Sequence, residues 1–215
     1  MTPHEPFEAV LFDMDGTLVD STSIVERIWT AFAARHHLDP LDVLRFAHGR
    51  PTTATVSHFV TGAEAIATDI ALVAAAEATD TAGVREVAGA HRVLSALDGL
   101  WAVVTSATPQ ITHLRMAAVG LPTPPLLITA EDVRHGKPSP EGYRLAAMKL
   151  AVDIKRCLIF EDAGPGIAAA VASGGTVVIV GDYQGKHAAG LLQISDFTTM
   201  SLHNGILRTG LQVAL

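Results

Sequence analysis

The sequence has almost no cysteine and no concentration of basic residues. Cys157 is the single cysteine, so an internal disulfide is excluded and the chain suits a reducing compartment. The 22 acidic residues outnumber the 15 Lys and Arg, which gives a net charge of −7, and Lys and Arg do not cluster along the chain. We therefore expect no nucleic-acid partner and no binding to anionic membranes.

Long apolar segments are also lacking. The least polar stretch, residues 63–78, contains Glu64, Asp69 and Glu77 and cannot span a membrane. Residues 1–6 include no basic segment followed by an apolar one, so a signal peptide is not expected. Hydrophobic residues nevertheless make up 49% of the 215 residues and charged residues only 17%, which is enough to fill a sizeable core. These features predict a cytoplasmic protein.

Short apolar runs that end at polar residues or glycine alternate with helical patterns. Runs of this length are typical of strands buried on both faces, as in a parallel sheet covered by helices. The runs are 9–12, 101–104, 126–128, 157–160 and 176–180, and the helical patterns cover 90–97, 109–119, 140–151 and 166–173. The alternation predicts an α/β protein with a doubly wound, Rossmann-like parallel sheet. After Gly185 we expect a final helix and a short edge strand near residues 196–198.

The stretch between the first two apolar runs interrupts this alternation. It shows no convincing strand, whereas Asp39-Pro40 and the alanine-rich residues 63–78 indicate helices. A helical segment of this length is too long for an ordinary connection in a compact domain. We therefore predict an α/β catalytic core formed by residues 1–18 and 88–215, with a small all-helical cap, residues 19–87, inserted after the first strand.

Acidic and hydroxyl side chains stand at the ends of three of the predicted strands. They are Asp13, Asp15, Thr105, Ser106, Glu161 and Asp162. In open α/β sheets the carboxyl ends of the strands form the ligand site. A single Asp or Ser there is more often a turn or cap residue, but four converging carboxylates repel one another and need a cation. Oxygen ligands without His or Cys favour Mg²⁺ over Zn²⁺, so the sequence predicts a magnesium site.

Four segments of the chain resemble the motifs of a known family. They are Phe12–Asp20 (FDMDGTLVD), Thr105–Ala107 (TSA), Lys137–Pro138 (KP) and Glu161–Gly166 (EDAGPG). In order and spacing they are similar to the four motifs of the haloacid dehalogenase (HAD) superfamily, in particular of its phosphatases with a small helical cap. The likeness is greatest to bacterial sugar and hexitol phosphatases and to glycerol- and 2-deoxyglucose-phosphate phosphatases, which are related to β-phosphoglucomutase.

The resemblance implies a phosphatase that works through an aspartyl-phosphate intermediate. Asp13 would be the nucleophile, and Asp15 would protonate the leaving alkoxide and later take a proton from water. The implied cofactor is Mg²⁺, held by Asp13, the backbone carbonyl of Asp15 and Asp162, with Glu161 reaching it through water. A small phosphorylated sugar or polyol would be the substrate, and a monomer is expected.

Two further groups of residues are expected to bind the substrate. Thr105, Ser106 and the Ala107 amide would bind phosphate oxygens, and Lys137 would offset the remaining negative charge. In the cap, His48 and Arg50 flank a glycine in a polar loop between helices, and the resemblance suggests that they reach the substrate. The alternative for this loop is a solvated connection with an arginine at a helix end.

Other members of the superfamily offer nearby alternatives. A dehalogenase does not need the second acid of the first motif, so Asp15 argues against that activity. A phosphosugar mutase has a similar fold and similar motifs. The β-phosphoglucomutase branch, however, carries a histidine twelve residues after the nucleophile, where this chain has Val25. A binding protein without catalysis would not need the chemical groups that all four motifs retain.

A more distant alternative is a dinucleotide-binding oxidoreductase. Residues 164–169 (GPGIAA) fit the glycine fingerprint, follow a strand, open a helix and precede Asp182 at the next strand end. Glu161 and Asp162 would then lie beside a pyrophosphate with no charge to offset them, and the aspartates of the first motif would have no role. We interpret these glycines as a tight turn from strand to helix.

Overall fold

The computed structural model describes residues 7–97, 100–203 and 206–209. The expectation about residues 1–6 lies outside these ranges. Within them, no helix combines the length and the apolar character needed to cross a bilayer.

The strands are β1 (Ala9–Phe12), β2 (Val19–Asp20), β3 (Arg85–Glu86), β4 (Trp101–Val104), β5 (Leu127–Ile128), β6 (Cys157–Glu161), β7 (Thr176–Val180), β8 (Leu192–Ile194), β9 (Met200–His203) and β10 (Ile206–Thr209). The helices are α1 (Thr22–Arg35), α2 (Pro40–Ala47), α3 (Thr52–Phe59), α4 (Ala63–Glu77), α5 (Ala90–Ala96), α6 (Pro109–Ala118), α7 (Glu141–Lys149) and α8 (Gly164–Ser173). A short 3₁₀ turn covers Ile154–Arg156.

The main sheet has six strands in the order β5-β4-β1-β6-β7-β8, and each neighbouring pair is parallel. This confirms the α/β fold. Strand β1 lies in the middle of the sheet, with β4 on one side and β6 on the other. The carboxyl ends of these three strands therefore meet at one edge, which is where the acidic and hydroxyl residues were expected to converge.

Strands β1 and β4 are apolar and buried along their whole length because each face of the sheet is covered. Alternate residues of β1 enter two different cores, since successive side chains of a strand point to opposite faces. Phe12 packs on one face, stacked on Phe160 with ring centroids 5.2 Å apart. Leu11 packs on the other face with Ile159 and Tyr143 of α7. Both faces thus hold β1 rigidly, and with it the acid that follows.

Helices α1 to α4 form the segment that was expected to be a cap. They pack around an apolar cluster of their own that includes Ile24, Trp29 and Phe32, all buried. Helix α2 begins as the sequence indicated, with the Asp39 carboxylate accepting a hydrogen bond from the Leu41 amide at 2.9 Å. The division at residues 19 and 87 stays a prediction.

Two sequence-based expectations about strands and helices are wrong. Residues 19–87 do contain strands, because β2 and β3 pair antiparallel where the chain leaves the core and returns to it. The part of the chain described after Gly185 contains no helix: β8 lies at residues 192–194, and residues 196–198 form a turn. The turn is fixed locally, since Asp196 accepts a hydrogen bond from the Thr198 amide at 2.8 Å.

Gly89, which precedes α5, is restricted to glycine both by its backbone conformation and by a close neighbour. It has a φ of 84°, and a Cβ there would lie 2.8 Å from the backbone of Phe197. Gly174, which ends α8, has nearly the same conformation, but nothing lies within 4 Å of its Cβ position. An L-residue in this left-handed conformation costs about 1–2 kcal/mol. We expect Gly174→Ala to lose about that much unfolding free energy and Gly89→Ala clearly more, measured by urea denaturation. Equal losses would contradict the close contact.

Candidate active site

The central strands bring the expected side chains to one edge of the sheet. Asp13 directly follows β1, and its amide donates a hydrogen bond to the Phe160 carbonyl at 3.0 Å. Thr105 and Ser106 follow β4, and Glu161 ends β6. Because β1 lies between β4 and β6, these residues line one cavity together with Asp162 and Lys137. The cavity has a volume of about 870 Å³.

A tight turn shapes the segment after β1. The Met14 carbonyl accepts hydrogen bonds from the amides of Thr17, Leu18 and Val19, at 3.3, 2.8 and 3.0 Å. Gly16 has a φ of 84°, and a Cβ at this position would overlap the Asp162 carboxylate. Glycine is therefore needed both for the backbone conformation and for the approach of Asp162.

Lys137 lies between two of the carboxylates. Its side chain is 8% exposed, and Nζ donates hydrogen bonds to Asp13 and, at 2.6 Å, to Glu161. Burial works against a charge on Lys137, but the Asp13 and Glu161 carboxylates outweigh it and raise the pKa of Lys137. The lysine is thus a buried positive charge beside Asp13, and its expected contact with a phosphate group stays a prediction.

Glu161 is held by four hydrogen bonds. Its Oε1 accepts from Lys137 and from the Tyr143 hydroxyl, both at 2.6 Å, and its Oε2 accepts from the amides of Asp162 and Ala163, at 3.1 and 3.4 Å. These bonds use about four acceptor positions, all that a carboxylate has. Glu161 therefore anchors Lys137 and the turn into α8, and a direct bond to a metal would have to replace one of these contacts.

The glycine pattern at the start of α8 has a structural explanation. A Cβ on Gly166 would overlap the Glu161 carboxylate. The space that a dinucleotide fingerprint keeps for a pyrophosphate is taken here by a negatively charged side chain, with which a second anion would be incompatible. The interpretation of these glycines as a strand-to-helix turn is consistent with this geometry.

The segment after β4 presents one hydroxyl that lacks a partner. Among the described residues, Ser106 Oγ is buried and makes no hydrogen bond, although it lines the cavity. A buried hydroxyl without a partner is unfavourable unless a ligand completes it. Thr105 Oγ1, by contrast, accepts a hydrogen bond from the Ala107 amide at 3.1 Å. The Ser106 hydroxyl is therefore available to donate to a phosphate oxygen, whereas the Ala107 amide already donates to Thr105.

The carboxylates of Asp13, Glu161 and Asp162 form a cluster that could hold a metal ion, with Glu161 acting through water as long as it keeps its four hydrogen bonds. One oxygen from each lies within 4.8 Å of the other two. Burial raises the pKa of both Asp13 and Asp162, and the negative charge of Glu161 acts in the same direction. Three carboxyl groups therefore lie near one ammonium group, that of Lys137. A divalent cation would neutralise the excess negative charge. An all-oxygen donor set fits Mg²⁺, so the residues suit the cofactor that the sequence predicted.

Asp15 lies in the same cavity and has two partners that sequence patterns did not reveal. The Ser21 hydroxyl donates to its Oδ1 at 2.6 Å, and Arg115 of α6 donates to the same oxygen at 2.9 Å. Arg115 also reaches Glu77, at the end of α4, at 3.3 Å. Burial raises the pKa of Glu77, while Arg115 acts in the opposite direction. Nothing in the sequence distinguishes Arg115 or Tyr143 from ordinary helix residues.

The polar cap loop lies over the site. The His48 ring nitrogen Nε2 is 3.4 Å from Asp162 Oδ2, and this contact raises the pKa of His48. Arg50 donates to the Phe46 carbonyl at 2.7 Å, and its guanidinium lies over the Phe46 ring, 4.4 Å from the centroid. Both residues line the cavity. Their expected contact with a substrate stays a prediction.

Comparison with known proteins finds matches over most of the chain. A profile of haloacid dehalogenase-like hydrolases matches residues 7–174. Hexitol phosphatase A of Escherichia coli is 42% identical over 175 residues, which cover 79% of this chain and 81% of that protein. 2-Deoxyglucose-6-phosphate phosphatase 1 of Saccharomyces cerevisiae is 31% identical over 202 residues, covering 80% of each chain. A solved hydrolase structure from Pseudomonas syringae has a TM-score of 0.76 at 23% identity, covering 87% and 93% of the two chains, a likeness of fold alone.

The acidic cluster predicts how metal binding responds to mutation and to pH. Replacing Asp162 by Asn removes one charged oxygen donor, so we expect the affinity for Mg²⁺ to fall about tenfold or more. Because burial raises the pKa of Asp13 and Asp162, protons compete with the metal, and the affinity should fall as the pH is lowered. Isothermal titration calorimetry with MgCl₂ measures both effects.

The matched control for this experiment is Asp182→Asn. Asp182 follows β7 in the same sheet but is not part of the cavity lining. Its replacement should leave the affinity for Mg²⁺ unchanged. A wild-type affinity in Asp162→Asn, or one that rises on acidification, would contradict the assignment of the cluster as a cation site.

Proposed function

The chain belongs to the haloacid dehalogenase-like hydrolase family. On that premise we propose that it hydrolyses the phosphate monoester of a small sugar or polyol. The reaction proceeds through an aspartyl-phosphate on Asp13, with Mg²⁺ as cofactor. The observation that carries the proposal is the setting of Asp13: a buried carboxylate at a strand end, bonded to Lys137, in a cavity that also holds Asp15 and the unpartnered hydroxyl of Ser106.

The first step is attack by an Asp13 oxygen on phosphorus. A bond forms between the carboxylate and the phosphoryl group, and the bond from phosphorus to the sugar or polyol oxygen breaks. Asp15 supplies the proton that the leaving alkoxide needs. The alcohol then departs, and the phosphoryl group remains on Asp13 as an acyl phosphate.

The second step is hydrolysis of that acyl phosphate. Water attacks phosphorus, Asp15 accepts a proton from it, and the bond between phosphorus and Asp13 breaks. Inorganic phosphate is released, Asp13 is again an ionised carboxylate, and Asp15 again carries the proton that it gave to the leaving group. Asp15 must therefore reach the oxygen of the leaving group and the oxygen of the attacking water in turn.

The remaining residues neutralise the charge of the phosphoryl group and position the substrate. Bound Mg²⁺ would neutralise part of the charge on the transferring group. Lys137, fixed by Glu161, keeps a positive charge beside Asp13 throughout the reaction, and Ser106 supplies a hydroxyl donor for a phosphate oxygen. The His48-to-Arg50 loop lines the cavity beside the site, and closure of the helices of the cap over it would keep bulk water from the first step.

The cavity supports a small phosphorylated metabolite as the substrate. Its volume of about 870 Å³ suits a molecule of sugar size together with its phosphate. Polar residues such as Glu26 and Thr52 line it beside apolar ones such as Trp29 and Ile70. The names of the relatives, a hexitol phosphatase and a 2-deoxyglucose-6-phosphate phosphatase, point to the same class of ester.

A phosphosugar mutase is the alternative that shares this chemistry. It would return the phosphoryl group to the sugar instead of passing it to water. Val25, where the mutase branch carries a histidine, lines the cavity and offers no group for proton transfer. A screen that measures both inorganic phosphate and isomerised sugar phosphate separates the two activities.

The nucleophile is tested by Asp13→Asn. An amide cannot form the acyl phosphate, so phosphate release from hexitol, glycerol and 2-deoxyglucose phosphates should fall about a thousandfold or more. Mass spectrometry after acid quench should find one phosphoryl group on the wild-type protein and none on the variant. The fold should survive, as judged by circular dichroism and thermal unfolding.

Asp182→Asn is the matched control here too. It changes a strand-end aspartate outside the cavity and should retain full activity. It is also the acid that a dinucleotide-binding protein would require, so weakened binding of a nicotinamide cofactor in this variant, with no phosphate release from the wild type, would overturn the proposal.

The cap loop is tested by Arg50→Ala. If Arg50 contacts the substrate, we expect kcat/KM to change unequally over a panel of sugar and polyol phosphates, about tenfold for the preferred ester. Arg35→Ala is the control, because Arg35 also lies over an aromatic ring, Phe32, but is not part of the cavity lining. An unchanged pattern of kcat/KM in Arg50→Ala would show that the loop is a solvated connection.

A further inference from the structure

Arg115 is a buried cation that joins the core to the cap. It lies on α6, its side chain is 3% exposed, and its two terminal nitrogens bond to different parts of the molecule. Nη1 reaches Asp15 Oδ1 at 2.9 Å, and Nη2 reaches Glu77 Oε1 at 3.3 Å. A buried guanidinium is rare unless carboxylates hold it, and here one carboxylate comes from the catalytic edge and the other from a cap helix.

The bond to Asp15 determines which of its oxygens can exchange a proton. Oδ1 accepts from Arg115 and also from the Ser21 hydroxyl, at 2.6 Å. Two donors fill the two lone pairs of that oxygen. Among the described residues, Oδ2 has no hydrogen-bond partner, so it is the oxygen left to face the reacting group. Arg115 thus fixes the rotation of the carboxylate as well as its place.

The bond to Glu77 makes this arrangement depend on the cap. Glu77 is the last residue of α4, and its other oxygen accepts from Thr52, the first residue of α3, at 3.2 Å. Among the described residues, Arg115 Nε is buried without a partner. The guanidinium is therefore oriented by its two carboxylate partners alone, and a shift of α4 would release one side of it.

We propose that Arg115 is a positioning residue that couples the place of the cap helix α4 to the orientation of Asp15. The inference rests on the proposed function, since it concerns the proton transfer assigned to Asp15. With Glu77 in place, the guanidinium holds Oδ1 of Asp15 and leaves Oδ2 directed at the substrate. When α4 moves away, Asp15 loses this support, and proton transfer to a leaving group slows while the cavity is open.

Esters with different leaving groups test this role. An alkoxide needs a proton as it departs, whereas p-nitrophenolate does not, so misplacing Asp15 should affect the alkyl ester far more. We expect Arg115→Ala to lower kcat/KM about 100-fold for hexitol or glycerol phosphate and less than about fivefold for p-nitrophenyl phosphate. KM for the alkyl ester should change little. A merely structural defect would lower kcat/KM for both esters by the same factor.

Further variants keep the test decisive if Arg115→Ala folds poorly. Arg115→Lys keeps the charge but spans only one carboxylate, and Glu77→Gln keeps the size of the cap partner without its charge. Both should show the same dependence on the leaving group, to a smaller degree. In the Arg115→Ala/Glu77→Gln double variant, Glu77→Gln should add no further loss, because the link is already broken.

Arg27→Ala is the matched control. Arg27 also joins two segments, since it bonds to Asp80 at 2.6 Å, but it is exposed and lies outside the cavity. Its replacement should leave both esters unaffected. Equal losses for both esters in the Arg115 variants, or an independent, additive effect of Glu77→Gln, would overturn the inference. If the wild type releases phosphate from neither ester, it is the proposed function that fails instead.

Discussion

The bond network around Lys137 is the constraint on which the site depends. The ends of β1 and β6 place acidic side chains close together, and without the ammonium group their charges would repel one another in a poorly solvated place. Tyr143 and two backbone amides fix Glu161, Glu161 fixes Lys137, and Lys137 fixes Asp13. Because each side chain in this series is held by the next, Asp13 has one orientation before any ligand enters. The sheet brings these side chains close together, and the hydrogen bonds between them fix their orientations.

Much of the site could be predicted from the sequence because parallel topology alone fixes where strand ends meet. Asp13 and Glu161 follow apolar runs, and a doubly wound sheet brings such ends together. Lys137 is different, because no sequence pattern identifies a functional lysine in a loop. Only the resemblance of Lys137-Pro138 to a family motif indicated its importance. Tyr143 and Arg115 lie within helices, where the partners that give them a role are distant in the sequence. No local signal marks such residues.

The errors in the fold have a common physical origin. Strands β2 and β3 have two residues each, too few to show any alternation, and their pairing depends on where the inserted helices return the chain. A helix was expected after Gly185, but β8 completes the sheet there by pairing with β7. Edge strands of this kind are selected by an available neighbour in the fold. Local propensity is too weak to specify them.

Gly49 lies at the centre of the polar loop between α2 and α3 and allows this loop to approach α8 closely. Its φ is 70°, and a Cβ there would lie 2.7 Å from the Cβ of Ala163, at the start of α8. The loop can lie this close to α8 only because its central residue has no side chain. A larger residue at this position would act as a spacer and hold the loop away from α8. We expect such a spacer to leave more room in the cavity, both for bulkier molecules and for solvent.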